Sequence, residues 1–146
     1  MDLIEAAGSG RVSLDTVAFI YFIEEHPKYL PLLRPLFSQV DRGEREVVTS
    51  AVTLLEVLVV PYRAGDIRLA ERYEVLLTRS RGVTMVDLHR GLLRRAAQLR
   101  ADHGVRAPDA LQLAAGMETG CTTFVTNDRR LPEISGIRVI QLDGLS

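Results

Sequence analysis

The stretch "EVVTSAVTLLEVLVVPY" (residues 46–62) reads as a strand that runs into a helix. "EVVTS" (46–50) carries the β-branched residues of a buried strand, and the apolar run that follows continues as a helix to about Gly65. Pro61 predicts a kink or break in that helix, because proline lacks the N–H and crowds the preceding turn. Glu56 lies in the middle of the run. A glutamate is almost never fully buried without a partner, since desolvating its charge costs several kcal/mol or forces it to take up a proton. Its neighbours Val52, Val59 and Val60 crowd the same face, so a solvated position beside Thr53 and Arg63 is the weaker expectation. Something must keep this carboxylate charged.

The same alternation extends outward in both directions. "RVSLD" (11–15) is a short strand ending at Asp15, and "TVAFIYFIEE" a largely buried helix that Pro27 ends. A second helical stretch spans 30–42, closed by Gly43. Asp66 is positioned to cap a helix carrying Leu69, Ala70, Tyr73 and Leu77. "VTMV" (83–86) is a third strand, and Asp87 is then expected to cap a helix with Leu88, Leu92, Ala96 and Leu99 on one face, stopped by Gly104. "APDALQLAAGMETG" (107–120) is another helix, with Pro108 in its first turn and Gly120 past its end. "TTFVT" (122–126) and "IRVIQL" (137–142) are two further strands. Strands alternating with helices throughout predict an α/β domain on a mostly parallel sheet.

The chain has 146 residues, 47% of them hydrophobic and 25% charged, enough for one domain with a real core. With 18 basic and 19 acidic residues the formal net charge is −1, so any polynucleotide contact must come from a local patch. Lys28 is the only lysine. Cys121 is the only cysteine, so no disulfide forms within the chain, which fits a reducing compartment. The start, "MDLIEAAGSG", lacks a basic region followed by an apolar one, which predicts no signal peptide. No uncharged apolar run reaches the ~18 residues of a membrane span. A soluble cytoplasmic protein without membrane contact is expected.

In open α/β sheets, ligands bind beyond the carboxyl ends of the strands. Asp15 ends the first strand, Glu56 lies in the helix after the second, Asp128 follows "TTFVT", and Asp109 opens the helix leading into that strand. Each acid has an ordinary structural role available: Asp15 as a helix cap, Asp109 in a helix first turn, "TND" (126–128) as a turn. Together they form a coincidence, because carboxylates gathered without a cation repel one another. Mg²⁺ or Mn²⁺, which prefer oxygen ligands, would resolve it.

The segments "LDTVAFIYFIEEHP", "VVTSAVTLLEVL", "HGVRAPDALQLAAG" and "TTFVTNDRRL" resemble, in order and spacing, the PIN-domain nucleases, and most of all the VapC-type toxins of bacterial toxin–antitoxin modules. The likeness covers roughly residues 11–142. It implies an acidic quartet of Asp15, Glu56, Asp109 and Asp128. Asp15 and Asp109 would be the principal Mg²⁺ (or Mn²⁺) ligands and Glu56 would complete the site. Asp128 would serve a second metal or orient water, with Thr126 and Asn127 as supporting residues. It further implies metal-dependent RNA hydrolysis, a cognate antitoxin as partner and a homodimer. Arg129 and Arg130 could hold RNA phosphate, or could be solvated arginines after a turn. Asp15 follows a lead of 14 residues, longer than usual for such toxins, so within a single domain over 1–146 residues 1–10 are a candidate N-terminal extension, whether tag-like, disordered or a real addition. The alternative is a catalytically silent PIN-like scaffold that binds RNA or protein, although such a scaffold has no need of four mutually repelling acids.

Overall fold

The computed structural model describes residues 1–146. Its five strands are β1 (Val12–Leu14), β2 (Val47–Ser50), β3 (Val83–Val86), β4 (Thr123–Thr126) and β5 (Arg138–Gln141). They form one sheet in the order β3-β2-β1-β4-β5, and every pairing is parallel. The helices are α1 (Leu3–Ala7), α2 (Thr16–Ile23), α3 (Leu30–Asp41), α4 (Val52–Ala64), α5 (Ile67–Arg79), α6 (Arg90–His103) and α7 (Ala107–Glu118). The α/β class and the five strands read from sequence are those observed.

A parallel sheet needs cover on both faces, and its central strands are accordingly buried along their whole length. Side-chain alternation divides the core. Val47 and Val125 face a layer with Phe19, Leu33, Leu36, Tyr73 and Leu77, while Val48 and Phe124 face Leu92, Ala96, Leu113 and Ala114. The first layer also holds fully buried Leu3, so α1 packs into the core. Arg45 secures this segment by donating to the carbonyls of Gly8 and Gly10 at 2.8 and 2.9 Å.

Strand order determines where the acids lie. β1 and β4 are neighbours although they are far apart in sequence, Ser13 pairing with Phe124, and the chain winds away from them in opposite directions. That makes the β1/β4 boundary the switch point of the sheet. α4 leaves β2 at the sheet's C-terminal edge. α7 returns the chain to the start of β4, so its own N-terminus lies back at that C-terminal edge.

α7 crosses β1 closely at Gly116. A Cβ there would stand 2.7 Å from Ser13 Oγ and 2.8 Å from Ser13 Cβ, closer than real contacts allow. Alanine would gain up to about 1 kcal/mol in helix propensity but incur about 1–3 kcal/mol of overpacking. Gly116→Ala is therefore expected to be destabilising by about 1–2 kcal/mol net in urea denaturation.

Three local expectations are corrected. α4 runs unbroken through Pro61, which falls in its last turn, where the missing N–H removes one helical bond and Gly65 then caps in the left-handed region at φ 69°. The cap of α6 is His89, not Asp87. The chain turns at Asp87, whose carbonyl accepts from the His89 amide, and His89 Nδ1 then accepts from the Leu92 amide at 3.2 Å. Leu88 consequently lies outside α6 and is 46% exposed. Finally, the crowding expected around Glu56 is absent: Glu56 is exposed, as are Leu55, Val59 and Val60.

Candidate active site

Asp15 leaves β1 at the switch point, its amide bonded to the Val125 carbonyl at 2.9 Å, which extends the β1/β4 ladder by one step. It caps α2 as expected of an aspartate there: Oδ1 accepts from the Thr16 amide at 2.8 Å. Its other oxygen accepts from the Thr126 hydroxyl at 2.7 Å, across the strand boundary. The structural reading and the site reading of Asp15 hold together, one oxygen for each.

Thr16 also reaches the second acid. Its hydroxyl donates to Glu56 Oε1 at 2.7 Å, drawing the α4 carboxylate towards β1. Asp128 joins from the other side, since its amide donates to Thr126 Oγ1 at 3.0 Å, the same hydroxyl that serves Asp15. Asp109, in the first turn of α7, is buried and lies 3.4 Å from Arg106 Nε. Arg106 in turn approaches Asp128 at 3.7 Å. Two threonines and one arginine thus link the four acids into one group.

The electrostatics follow from these surroundings. Burial pushes the Asp15 carboxyl up to about 6; the Thr126 and Thr16 hydrogen bonds offset this in part, while the charges of Asp109 and Glu56 add to it. Burial also raises Asp109, against the pull of Arg106 and with the push of Asp128. Asp128 moves the other way, held below the ordinary carboxylate range chiefly by its hydrogen bonds from Arg130, at 3.0 and 3.1 Å. A group of neighbouring like charges, part of it buried, is where a cation gains most. The donors are carboxylate oxygens and hydroxyls throughout, which suits a hard divalent ion and not a thiophilic one. As they stand, no three of the acids close on one point, because each is turned to its own hydrogen-bond donor.

Beneath the acids lies a buried polar network that sequence reasoning missed. Gln112 Nε2 donates to Thr53 Oγ1 at 2.5 Å and to Thr16 Oγ1 at 3.1 Å, while its Oε1 accepts from the Ser50 amide and Thr49 Oγ1, both at 3.0 Å. Thr49 also stands 2.7 Å from Thr53 and 3.0 Å from the Leu14 carbonyl. Three of its members are three residues from one of the four acids or beside one: Thr53 before Glu56, Gln112 after Asp109, Thr16 after Asp15. Polar residues at that spacing inside apolar segments were the signal available.

The supporting positions are also assigned. Asn127 Oδ1 accepts from the Asp143 amide at 2.9 Å, and its Nδ2 lies 3.4 Å from the Tyr21 hydroxyl. Arg129 pairs with Asp143, whereas Arg130 pairs with Asp128, so the two arginines are differently employed. Asp143 gathers Lys28 (2.5 Å) and Tyr29 (2.7 Å) as well, and these partners, Lys28 foremost, hold its carboxyl far below the usual range.

A family model described as the PIN domain matches residues 12–137. No curated protein sequence matches the chain. Among solved structures, VapBC2 from Rickettsia felis bound to a promoter DNA fragment aligns with a TM-score of 0.69 at 15% identity, covering 90% of this chain and 98% of that one. DNA-bound VapBC from Salmonella typhimurium aligns with a TM-score of 0.63 at 23% identity, covering 92% and 99%. VapC20 of Mycobacterium tuberculosis, a sarcin-ricin loop cleaving toxin, aligns with a TM-score of 0.63 at 17% identity, covering 79% and 87%. At these identities the likeness is one of fold.

Proposed function

The chain belongs to the PIN domain family, and from that premise we propose that it is a divalent-metal-dependent ribonuclease acting as the toxin of a toxin–antitoxin pair. The observation that carries this reading is the linkage of Asp15, Glu56, Asp109 and Asp128 through Thr16, Thr126 and Arg106 at the switch point of the sheet. Asp15 and Asp109 would hold Mg²⁺ or Mn²⁺, with Glu56 completing the site and Asp128 serving a second ion or aligning the attacking water. Bound divalent ions supply an activated water and offset charge on the phosphoryl group. The chain's own contribution is orientation. Thr16 and Thr126 aim one oxygen each of Asp15, and Thr16 fixes the rotamer of an exposed Glu56 that would otherwise sample several.

Two surfaces support the partners. A groove of about 620 Å³ between α2, α3 and α5, lined by apolar Phe22, Phe37 and Leu76 and by charged Arg34, Arg72 and Arg81, suits an amphipathic segment of an antitoxin. On α4, Leu55, Val59 and Tyr62 are exposed at a spacing that puts them on one face, and a second copy of the chain would cover them in a homodimer. No helix is long and apolar enough to cross a membrane.

Calorimetric titration of Mn²⁺ tests the reading without knowledge of the RNA. Wild type is expected to bind, and a still-folded Asp109→Asn to bind at least about tenfold more weakly, because it loses a charged ligand worth upwards of 1.4 kcal/mol. Equal binding by the two proteins, or none by wild type at millimolar Mn²⁺, would overturn the metal-nuclease account. RNA cleavage by the same pair of proteins then tests the substrate class.

A further inference from the structure

The four acids are not held alike. Asp15 and Glu56 are oriented by uncharged donors, the hydroxyls of Thr16 and Thr126 and a backbone amide. Asp109 and Asp128 are held by guanidinium groups. Arg130 Nε and Nη2 take the two oxygens of Asp128 at 3.0 and 3.1 Å, and Arg106 bridges Asp109 and Asp128 at 3.4 and 3.7 Å. A carboxylate lone pair engaged by a guanidinium is not free for a metal ion.

Both arginines are anchored only at their tips. Their side chains are 61% and 70% exposed, and with His103 and Pro132 they line a cavity of about 190 Å³ that opens beside Asp109 and Asp128. Both guanidinium groups stay in contact with water, which discounts even the bidentate Arg130 pair, and a divalent cation brings twice the charge to the same oxygens, so it can displace them. Asp128 keeps its direction when Arg130 swings away, because the Arg130 amide still donates to Oδ1 at 3.0 Å and the Asp128 amide still bonds to Thr126. A guanidinium fork released next to the metal site matches a phosphate diester in shape and charge.

Building on the nuclease reading, we propose that Arg106 and Arg130 form an exchangeable latch: they neutralise Asp109 and Asp128 until a divalent ion takes those carboxylates, and then bind the RNA phosphates flanking the cleaved bond. The latch makes the order of binding metal first, RNA second. With the arginines on the acids the cleft offers no free cation to a phosphate. Once they are exchanged, it offers the metal and two guanidinium groups together. Metal and RNA therefore bind with positive coupling, each raising the affinity for the other by the same factor.

The test uses Mn²⁺ calorimetry together with fluorescence anisotropy of a mixed-sequence, single-stranded phosphorothioate oligonucleotide. Wild type, Arg106→Ala, Arg130→Ala and Arg100→Ala are compared. Arg100 is the charge control, since its Nε donates to the Val105 carbonyl at 3.1 Å and it pairs with no acid. Arg106→Ala and Arg130→Ala are expected to bind Mn²⁺ roughly three- to tenfold more tightly than wild type, with Arg100→Ala close to wild type. In saturating Mn²⁺ the same two variants should bind the oligonucleotide several-fold more weakly, with the log–log salt slope reduced by about 0.7 for each arginine lost. Tighter metal with weaker oligonucleotide is a crossed result that a loss of folding cannot produce. Unchanged Mn²⁺ affinity in both variants, an equal gain in Arg100→Ala, or undiminished oligonucleotide binding would each overturn the latch while leaving the nuclease reading intact. Failure of wild type to bind Mn²⁺ would overturn both.

Discussion

Asp15→Asn is expected to lower RNA cleavage by about 10³-fold or more and, in the presence of chelator at neutral pH, to make the protein more stable than wild type. The two effects share one cause. The Asp15 carboxyl is raised from 3.8 to about 6 because folding buries it beside Asp109 and Glu56. An acid whose folded value lies above its unfolded one binds protons more tightly when folded. The folded state is therefore favoured by protonation, and stability falls as pH rises from about 4 to 6, then levels off. At about 1.4 kcal/mol per pKa unit the burden is on the order of 3 kcal/mol, an upper bound because Asn replaces the Thr126 contact imperfectly. Asparagine removes the burden along with the charge. Urea melts of both proteins in chelator at pH 4.5 and 7.5 check this: wild type should lose stability relative to the variant across that interval, and parallel behaviour would contradict it. On the proposed metal-nuclease reading Asp15 would be a principal metal ligand, and losing several kcal/mol of transition-state stabilisation with it corresponds to about three powers of ten. Saturating Mn²⁺ should reverse the stability order, since only wild type gains from binding.

Gln112→Met is expected to cost about 3–4 kcal/mol in folding stability and to loosen Glu56. Gln112 is fully buried and makes four hydrogen bonds, two through each end of its amide, which saturates its donors and acceptors. Methionine preserves the volume but takes the side-chain acceptor from the Ser50 amide and one partner from each of the Thr49, Thr53 and Thr16 hydroxyls. A buried group left unsatisfied costs about 1–3 kcal/mol, and part is recovered where the threonines, 2.7 and 3.2 Å apart, bond to one another. Thr16 loses a donor on one side while it donates to Glu56 on the other. The variant should therefore bind Mn²⁺ less tightly even at temperatures where it is fully folded. Full stability in urea would mean that the network repacks around methionine.

The sequence was most informative where the signal is local. Apolar alternation and runs marked β1 to β5, while Pro27, Gly43, Gly104 and Gly120 punctuated the helices. The four acids were visible because each stands next to a strand end or in the helix leading from or to one. What escaped depends on partners distant in the chain. Whether Glu56 is crowded or exposed is decided by how α4 sits on its neighbours, and no periodicity in 46–62 reports that. Leu3 looks like any residue of a leading segment until α3 packs on it. Arg106 has no distinguishing neighbour in sequence; its meaning comes from Asp128, 22 residues on, once β4 lies beside β1. The switch point itself was not readable, since strand order is a property of the assembled sheet.

Asp143 draws Lys28, Tyr29, Arg129 and, through its amide, Asn127 onto the final turn of the chain, Leu142–Gly144. The segment that presents Asp128 is thus moored, through Asn127 and Arg129, to the single residue Asp143. Strain at this turn would be felt at Asp128 before it reached the sheet, because Asp143 holds Arg129 and Asn127 directly.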